Sequence, residues 1–221
     1  MLKTFSRVAA ALAFLAALAT GVASGEGGRG FTTRITNPWF PLVPGTVYRY
    51  EGIKDGKRSR ELLTVTRRTI KIAGVECVVV DDRLWVEGHL AERTNDWYAQ
   101  DREGNVWYFG EDTAELDPSG KVTTREGSWR AGVAGARAGI LMPANPRVGQ
   151  TGLQELWKGH AEDHFRVVAR LGKNALVTEE WTPLEPGVLD HKTYVRGVGT
   201  ILERTVRGGD ELNELVSLTR S

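Results

Sequence analysis

The chain has 221 residues, 29 basic and 28 acidic side chains, and a single cysteine. So even a balance carries no electrostatic footprint for nucleic acid, and no run of basic residues that would hold the chain on an anionic membrane surface. One cysteine excludes an internal disulfide, so the fold has to rest on one sizeable core, which a chain of this length can bury.

The N-terminus reads as an export signal. Lys3 and Arg7 supply a positive start, and residues 8–19 are apolar throughout. That run matches a signal-peptide core and is shorter than the roughly 20 residues a membrane-spanning helix needs. Ala17 and Ala19, or Val22 and Ser24, offer small side chains to a signal peptidase. Cleavage after Ser24 is favoured over Ala19, because the polar, glycine-rich residues 25–30 suit a mature start; an uncleaved anchor is the alternative. No cysteine follows the apolar run, so a thioether lipid anchor is excluded. The expected organisation is a signal peptide over 1–24, a flexible segment over 25–35 and one β domain over 36–221. The location is secreted, periplasmic or at the cell envelope, with no transmembrane segment after cleavage.

In the lead-in, Pro38, Pro41 and Pro44 break regular structure, and Trp39 and Phe40 between them are expected to plug the end of the core. Strands with aromatic and β-branched content follow, separated by tight turns. They are expected near 46–51, 59–72 and 75–87, with Asp55-Gly56 and Ala73-Gly74 as turns. Cys77 lies in a β-branched run and reads as a small buried apolar side chain. Residues 90–100 and 105–109 form the clearest hairpin, with Trp97-Tyr98 facing Trp107-Tyr108-Phe109 across a turn at 101–104.

Residues 127–152 carry little periodicity and read as a long loop with one helical turn, a length often tied to function. Residues 153–171 fit either a strand pair or a strand and a helix. Strands resume near 175–182, 188–196, 200–206 and 212–219. Ten or eleven short strands without αβ alternation predict an all-β fold, a meandering antiparallel sheet forming a sandwich or curled half-barrel.

Seven tryptophans either fill the core of a curved sheet or line a concave face for an apolar or ring-shaped guest. Trp129, in the irregular segment, is the leading ligand candidate, with Trp97, Trp107 and Tyr108 beside it. Glu111 and Asp112 follow an aromatic strand through Gly110 and could reach a cavity rim. The pairs Asp81-Asp82, Glu162-Asp163 and Glu179-Glu180 read as solvated edges, because neighbours in a strand point to opposite faces. His160 and His164 stand four apart; on a helix they could share a metal ion with a third ligand. Position 161 is Ala, so the zinc-protease pattern is not met. Neither a nucleophile elbow nor a phosphate cradle is present, and no cofactor is expected.

Three stretches carry a resemblance: Thr36-Asn37-Pro38-Trp39-Phe40-Pro41-Leu42-Val43-Pro44-Gly45-Thr46, Asp96-Trp97-Tyr98-Ala99-Gln100-Asp101, and Gly104-Asn105-Val106-Trp107-Tyr108-Phe109-Gly110-Glu111. With Thr182-Pro183-Leu184-Glu185-Pro186-Gly187, they resemble a group of exported bacterial proteins of uncharacterised function. The resemblance implies an envelope or extracellular location and adds no activity. The expected sheet is also similar to lipoprotein-carrier and lipid-binding half-barrels, a likeness of fold only. The readings left open are a binding module for a small apolar or lipid-like ligand, a structural or interaction protein of the envelope, and a hydrolase using carboxylates or histidines. Protein partners are unknown.

Overall fold

A computed structural model describes residues 30–220. The signal peptide expected over 1–24 lies outside the described residues. The chain forms one antiparallel sheet of fifteen strands that rolls into a nearly closed half-barrel. Its first half is an up-and-down meander: β1 (Thr46–Lys54), β2 (Lys57–Ile72), β3 (Val75–Val86), β4 (His89–Gln100) and β5 (Val106–Leu116). The turns between the first four are the tight, left-handed pairs that match strand twist. At Asp55-Gly56 φ is 51° and 69°, and at Ala73-Gly74 it is 48° and 86°.

Residues 127–152 depart from the expected loop. They contain β7 (Trp129–Arg130), β8 (Arg137–Met142) and the start of β9 (Thr151–Leu153); β6 (Val122–Thr124) precedes them. β6, β7 and β8 each return to pair with β5. Gly110 makes this possible. Its φ is 126°, and a Cβ there would lie 2.3 Å from the Trp129 carbonyl oxygen. Strands of two or three residues are too short to show a period, which is why the sequence reads as loop.

Residues 153–171 resolve as strands: β10 (Glu155–Leu156) and β11 (His164–Leu171). The second half then meanders through β12 (Ala175–Trp181), β13 (Leu189–Val195), β14 (Gly199–Arg207) and β15 (Leu212–Arg220). β15 pairs with β1 and joins the two halves. The end strands of the sheet, β9 and β10, are joined through Gln154, and a Cβ on Gly139 of β8 would lie 2.4 Å from the Gln154 carbonyl oxygen.

The lead-in closes one end of this barrel. Trp39 is fully buried, and Phe40 packs edge-on against Tyr98 at 5.6 Å. The Asn37 amide donates to the Gly104 and Pro143 carbonyls, and Gly197 N–H donates to the Pro38 carbonyl at 2.6 Å. Within the stretch 25–35, residues 31–35 are held firmly. Thr32 pairs with Gln100, Phe31 packs on Trp107 and Phe109, and Ile35 is buried. The outer wall carries a charged row, including Arg49, Glu51, Arg93 and Arg166, which suits water and not lipid. No helix among the described residues is long and apolar enough to cross a membrane.

Candidate functional site

Directly opposed residues of neighbouring strands share a face. The register places Asp82 beside Thr94, and Thr94 beside Thr113. It places Asp96 beside Glu111, and Leu84 beside Glu92. These side chains turn inward. The Tyr108 hydroxyl donates to Asp96 Oδ1 at 2.6 Å, and its ring stacks on Tyr98 at 4.8 Å. Trp129 meets Tyr108 edge-on at 5.5 Å and donates its indole N–H to Glu155 at 3.1 Å. From the second half, Glu180 accepts from Thr178 and Tyr194, and Lys192 Nζ lies 3.1 Å from Glu180 and 3.3 Å from Glu203.

The interior is therefore acidic. Asp96 feels Glu61 and Glu92; Glu155 feels Asp163 and Asp96; Glu203 feels Glu180 and Glu61. Glu61 on β2 and Glu203 on β14 come from opposite halves of the sheet, so their interaction crosses the lumen. Burial is the main cause of large upward shifts, with like charge adding to it. Asp96 is pushed up to about 7, Glu155 to about 8 and Glu203 to about 7. Asp82 and Glu111 are also raised well above the carboxylate range. Burial alone would lower the Lys192 ammonium, but Glu180 and Glu203 outweigh it and raise its pKa. The Glu203 side chain keeps 37% exposure, and it faces the cavity described next.

At the end opposite the lead-in plug, the lumen opens as a cavity of about 210 Å³. Its wall includes Glu61, Asp82, Glu92, Glu203 and Asn213, with Lys54 and Glu211 at the rim 3.7 Å apart. Two acceptor oxygens in this wall, Asp82 Oδ1 and Asn213 Oδ1, are buried without a donor. A second cavity, about 220 Å³, lies where the sheet ends meet. It is mostly apolar and includes Trp107, Ile140, Leu153, Leu156 and Phe165.

Of the residues singled out from sequence, Tyr108, Glu111 and Trp129 meet in the lumen. Trp97 lies on the outer side of its strand, beneath the Arg130 guanidinium at 5.2 Å. Trp107 also faces out, packing on Phe31 and donating to Asp101 at 2.7 Å. Asp112 is exposed and paired with Arg125 at 2.8 Å. His160 stacks on Trp157 at 4.1 Å, and His164 on Trp181 at 5.3 Å. Among the described residues no three His, Cys, Asp or Glu side chains are grouped to hold a metal ion. Sequence reasoning missed Glu61, Asp96, Glu155, Lys192 and Glu203, and it took Asp82, Asp163 and Glu180 for solvated edges, whereas the inward face of the sheet buries all three. One signal was present: Glu92, Thr94 and Asp96 alternate along β4. Arg93 and Asn95 between them are polar too, so the pattern does not say which face is inside.

Removing the Tyr108 hydroxyl probes this wall. Tyr108→Phe deletes the donor to Asp96 and should destabilise the protein by about 1–2 kcal/mol above neutral pH, with a smaller loss once Asp96 is protonated. Urea unfolding on either side of neutrality measures the difference.

Fold and lining together define an antiparallel half-barrel, plugged at one end, with an acidic lumen. No family model matches the chain, and no curated protein matches it. Two solved structures are similar in outline. One is described as an exported protein with a YMCC-like fold from Bacteroides fragilis NCTC 9343; it is 14% identical, covers 82% of this chain and 99% of its own, and has a TM-score of 0.46. The other is described as a lipoprotein from Parabacteroides distasonis ATCC 8503; it is 10% identical, covers 82% of this chain and 98% of its own, and has a TM-score of 0.42.

Proposed function

We propose that the protein is an exported binding module whose lumen receives a small organic cation through its open end. The observation that carries this reading is the pair of donorless acceptors, Asp82 Oδ1 and Asn213 Oδ1, in a wall already rich in carboxyls. A buried acceptor without a donor is costly. An ammonium or amidinium group supplies both donors and charge, whereas a wholly apolar guest would leave these groups dry and unpaired. Tyr98, Tyr108 and Trp129 further in offer aromatic faces to the body of such a guest. Export rests on the leader at the N-terminus.

Calorimetry with spermidine and tyramine, against octanoate as an anionic control, tests it. Amine binding that weakens at least about tenfold in Glu61→Gln or Asp82→Asn supports the reading. Silence of both amines, or tighter binding of octanoate, sinks it.

A second reading has its own observation. The apolar cavity at the seam, with Trp107 in its wall, suits a small apolar or lipid-like guest. A blue shift of tryptophan emission on adding octanoate, lost in Trp107→Phe, is its signature. A strand-adding structural role has less support, because the free ends of the sheet close on each other and leave little exposed edge.

A further inference from the structure

We infer that the plugged end of the barrel is a docking face for an anionic lipid bilayer. The near-neutral sequence conceals this, because the fold sorts its charges. Many carboxyls are drawn into the lumen and the opposite open end, and cations from distant strands collect around the plug. Arg170, on β11, and Arg196, in the β13–β14 turn, both lie over the ring of Trp39, with guanidinium carbons 5.1 Å and 5.6 Å from its centroid. Two like charges held against one buried indole repel each other. Neither has an ion-pair partner among the described residues: Arg170 reaches only the Pro146 carbonyl, at 3.4 Å. Arg220 donates to the Gly197 carbonyl in the same region, and Lys173 sits in the adjoining β11–β12 turn. The acids at this end, Glu76, Asp101 and Glu103, belong to the other half of the sheet. Asp101 is already committed to Asn105 and Trp107, and Glu76 accepts from Thr69.

Exposed aliphatic side chains accompany these cations. Leu171 is 58% exposed, Val148 60% and Val43 45%. Leu171 follows Arg170 in the chain, Val148 adjoins the loop that Arg170 touches, and Val43 lies beside the start of β1, which pairs with Arg220. Cations with protruding aliphatic side chains match a lipid interface, where headgroups take the charge and the acyl boundary takes the side chains. A soluble polyanion would use the charges and gain nothing from Leu171 or Val148. The chain also enters the fold at this end: Gly30 packs against the Arg102 side chain in the β4–β5 turn. Docked this way, the barrel points its acidic mouth away from the membrane into water.

The test uses processed protein and vesicles of phosphatidylcholine alone, or mixed in equal parts with phosphatidylglycerol. Co-sedimentation should favour the anionic vesicles and weaken as salt is raised. Lys173→Gln and Arg196→Gln should each lower partitioning about fivefold, with thermal melting confirming that the variants fold. Leu171→Trp should shift its emission to the blue on anionic vesicles, while Val206→Trp, at the open end, should not. Equal binding to both vesicle types, or a shift at Val206→Trp and none at Leu171→Trp, overturns the proposal. Binding to a short DNA duplex that equals vesicle binding and ignores Leu171→Ser also overturns it, and would assign the cations to a soluble polyanion.

Discussion

Between about pH 5 and about pH 8.5, the unliganded protein is expected to lose roughly 5 kcal/mol of stability, with its melting temperature falling by about 10–20 °C. The sign follows from the lumen. Asp96, Glu155 and Glu203 have folded-state values near 7, 8 and 7, above their ordinary values of 3.8, 4.5 and 4.5. The folded protein therefore keeps protons that the unfolded chain has already released. Their favourable contribution is complete below the unfolded values and is lost as pH climbs through the folded ones. Moving one carboxyl from about 4 to about 7 corresponds to ~4 kcal/mol. The three groups interact, and the cavity beside Glu203 screens it, so the total is smaller than three such amounts. A cationic guest should show the opposite trend. It binds the ionised wall, so its affinity should rise through the same interval and binding should release protons. Thermal melts and calorimetry in buffers of different ionisation heat measure the two trends. A flat or rising melting curve with pH would show that these carboxyls stay ionised and hydrated.

Lys192→Met is expected to cost about 3 kcal/mol above neutral pH, and clearly less near pH 5. Lys192 sits between Glu180 and Glu203, at 3.1 Å and 3.3 Å, and is the lumen's own cation. Methionine keeps much of the volume and removes the charge. Two carboxylates are then left facing each other across a poorly solvated space, and they relieve the repulsion by taking up protons. The apparent pKa of Glu203 should therefore move further up, which carbon-detected NMR of the glutamate side chains can follow. Adding an amine guest should restore part of the lost stability. An equal loss at both pH values would reduce Lys192 to a packing role.

Local features of this architecture were legible in the sequence, and long-range ones were not. Asp55-Gly56 announces a hairpin because few pairs tolerate two left-handed residues in succession, and the structure has them. The plug at Trp39 and Phe40 was legible because three prolines forbid a strand there, while two large aromatic rings demand burial. Trp129 turns inward because Gly110 lets β7 lie close on β5, a contact that no local sequence pattern announces. The acidic lumen was hidden for a different reason. A wall polar on both faces gives no alternation of hydropathy, so Glu92 and Asp96 look like their exposed neighbour Arg93. His160 and His164 drew notice through spacing alone. His160 lies in the turn closed by Trp157 and Ala161 while His164 opens β11, so each meets its own aromatic partner.

The pairing of β1 with β15 has a consequence for how the molecule is assembled. Thr46 lies opposite Arg220, so the earliest strand of the barrel to be synthesised finds its second neighbour in the last. Until that final segment is available, the two halves are separate curved sheets with raw flanks, β1 on one and β14 on the other. β15 thus acts as a keystone: losing it would part the wall down its middle and leave its margins intact.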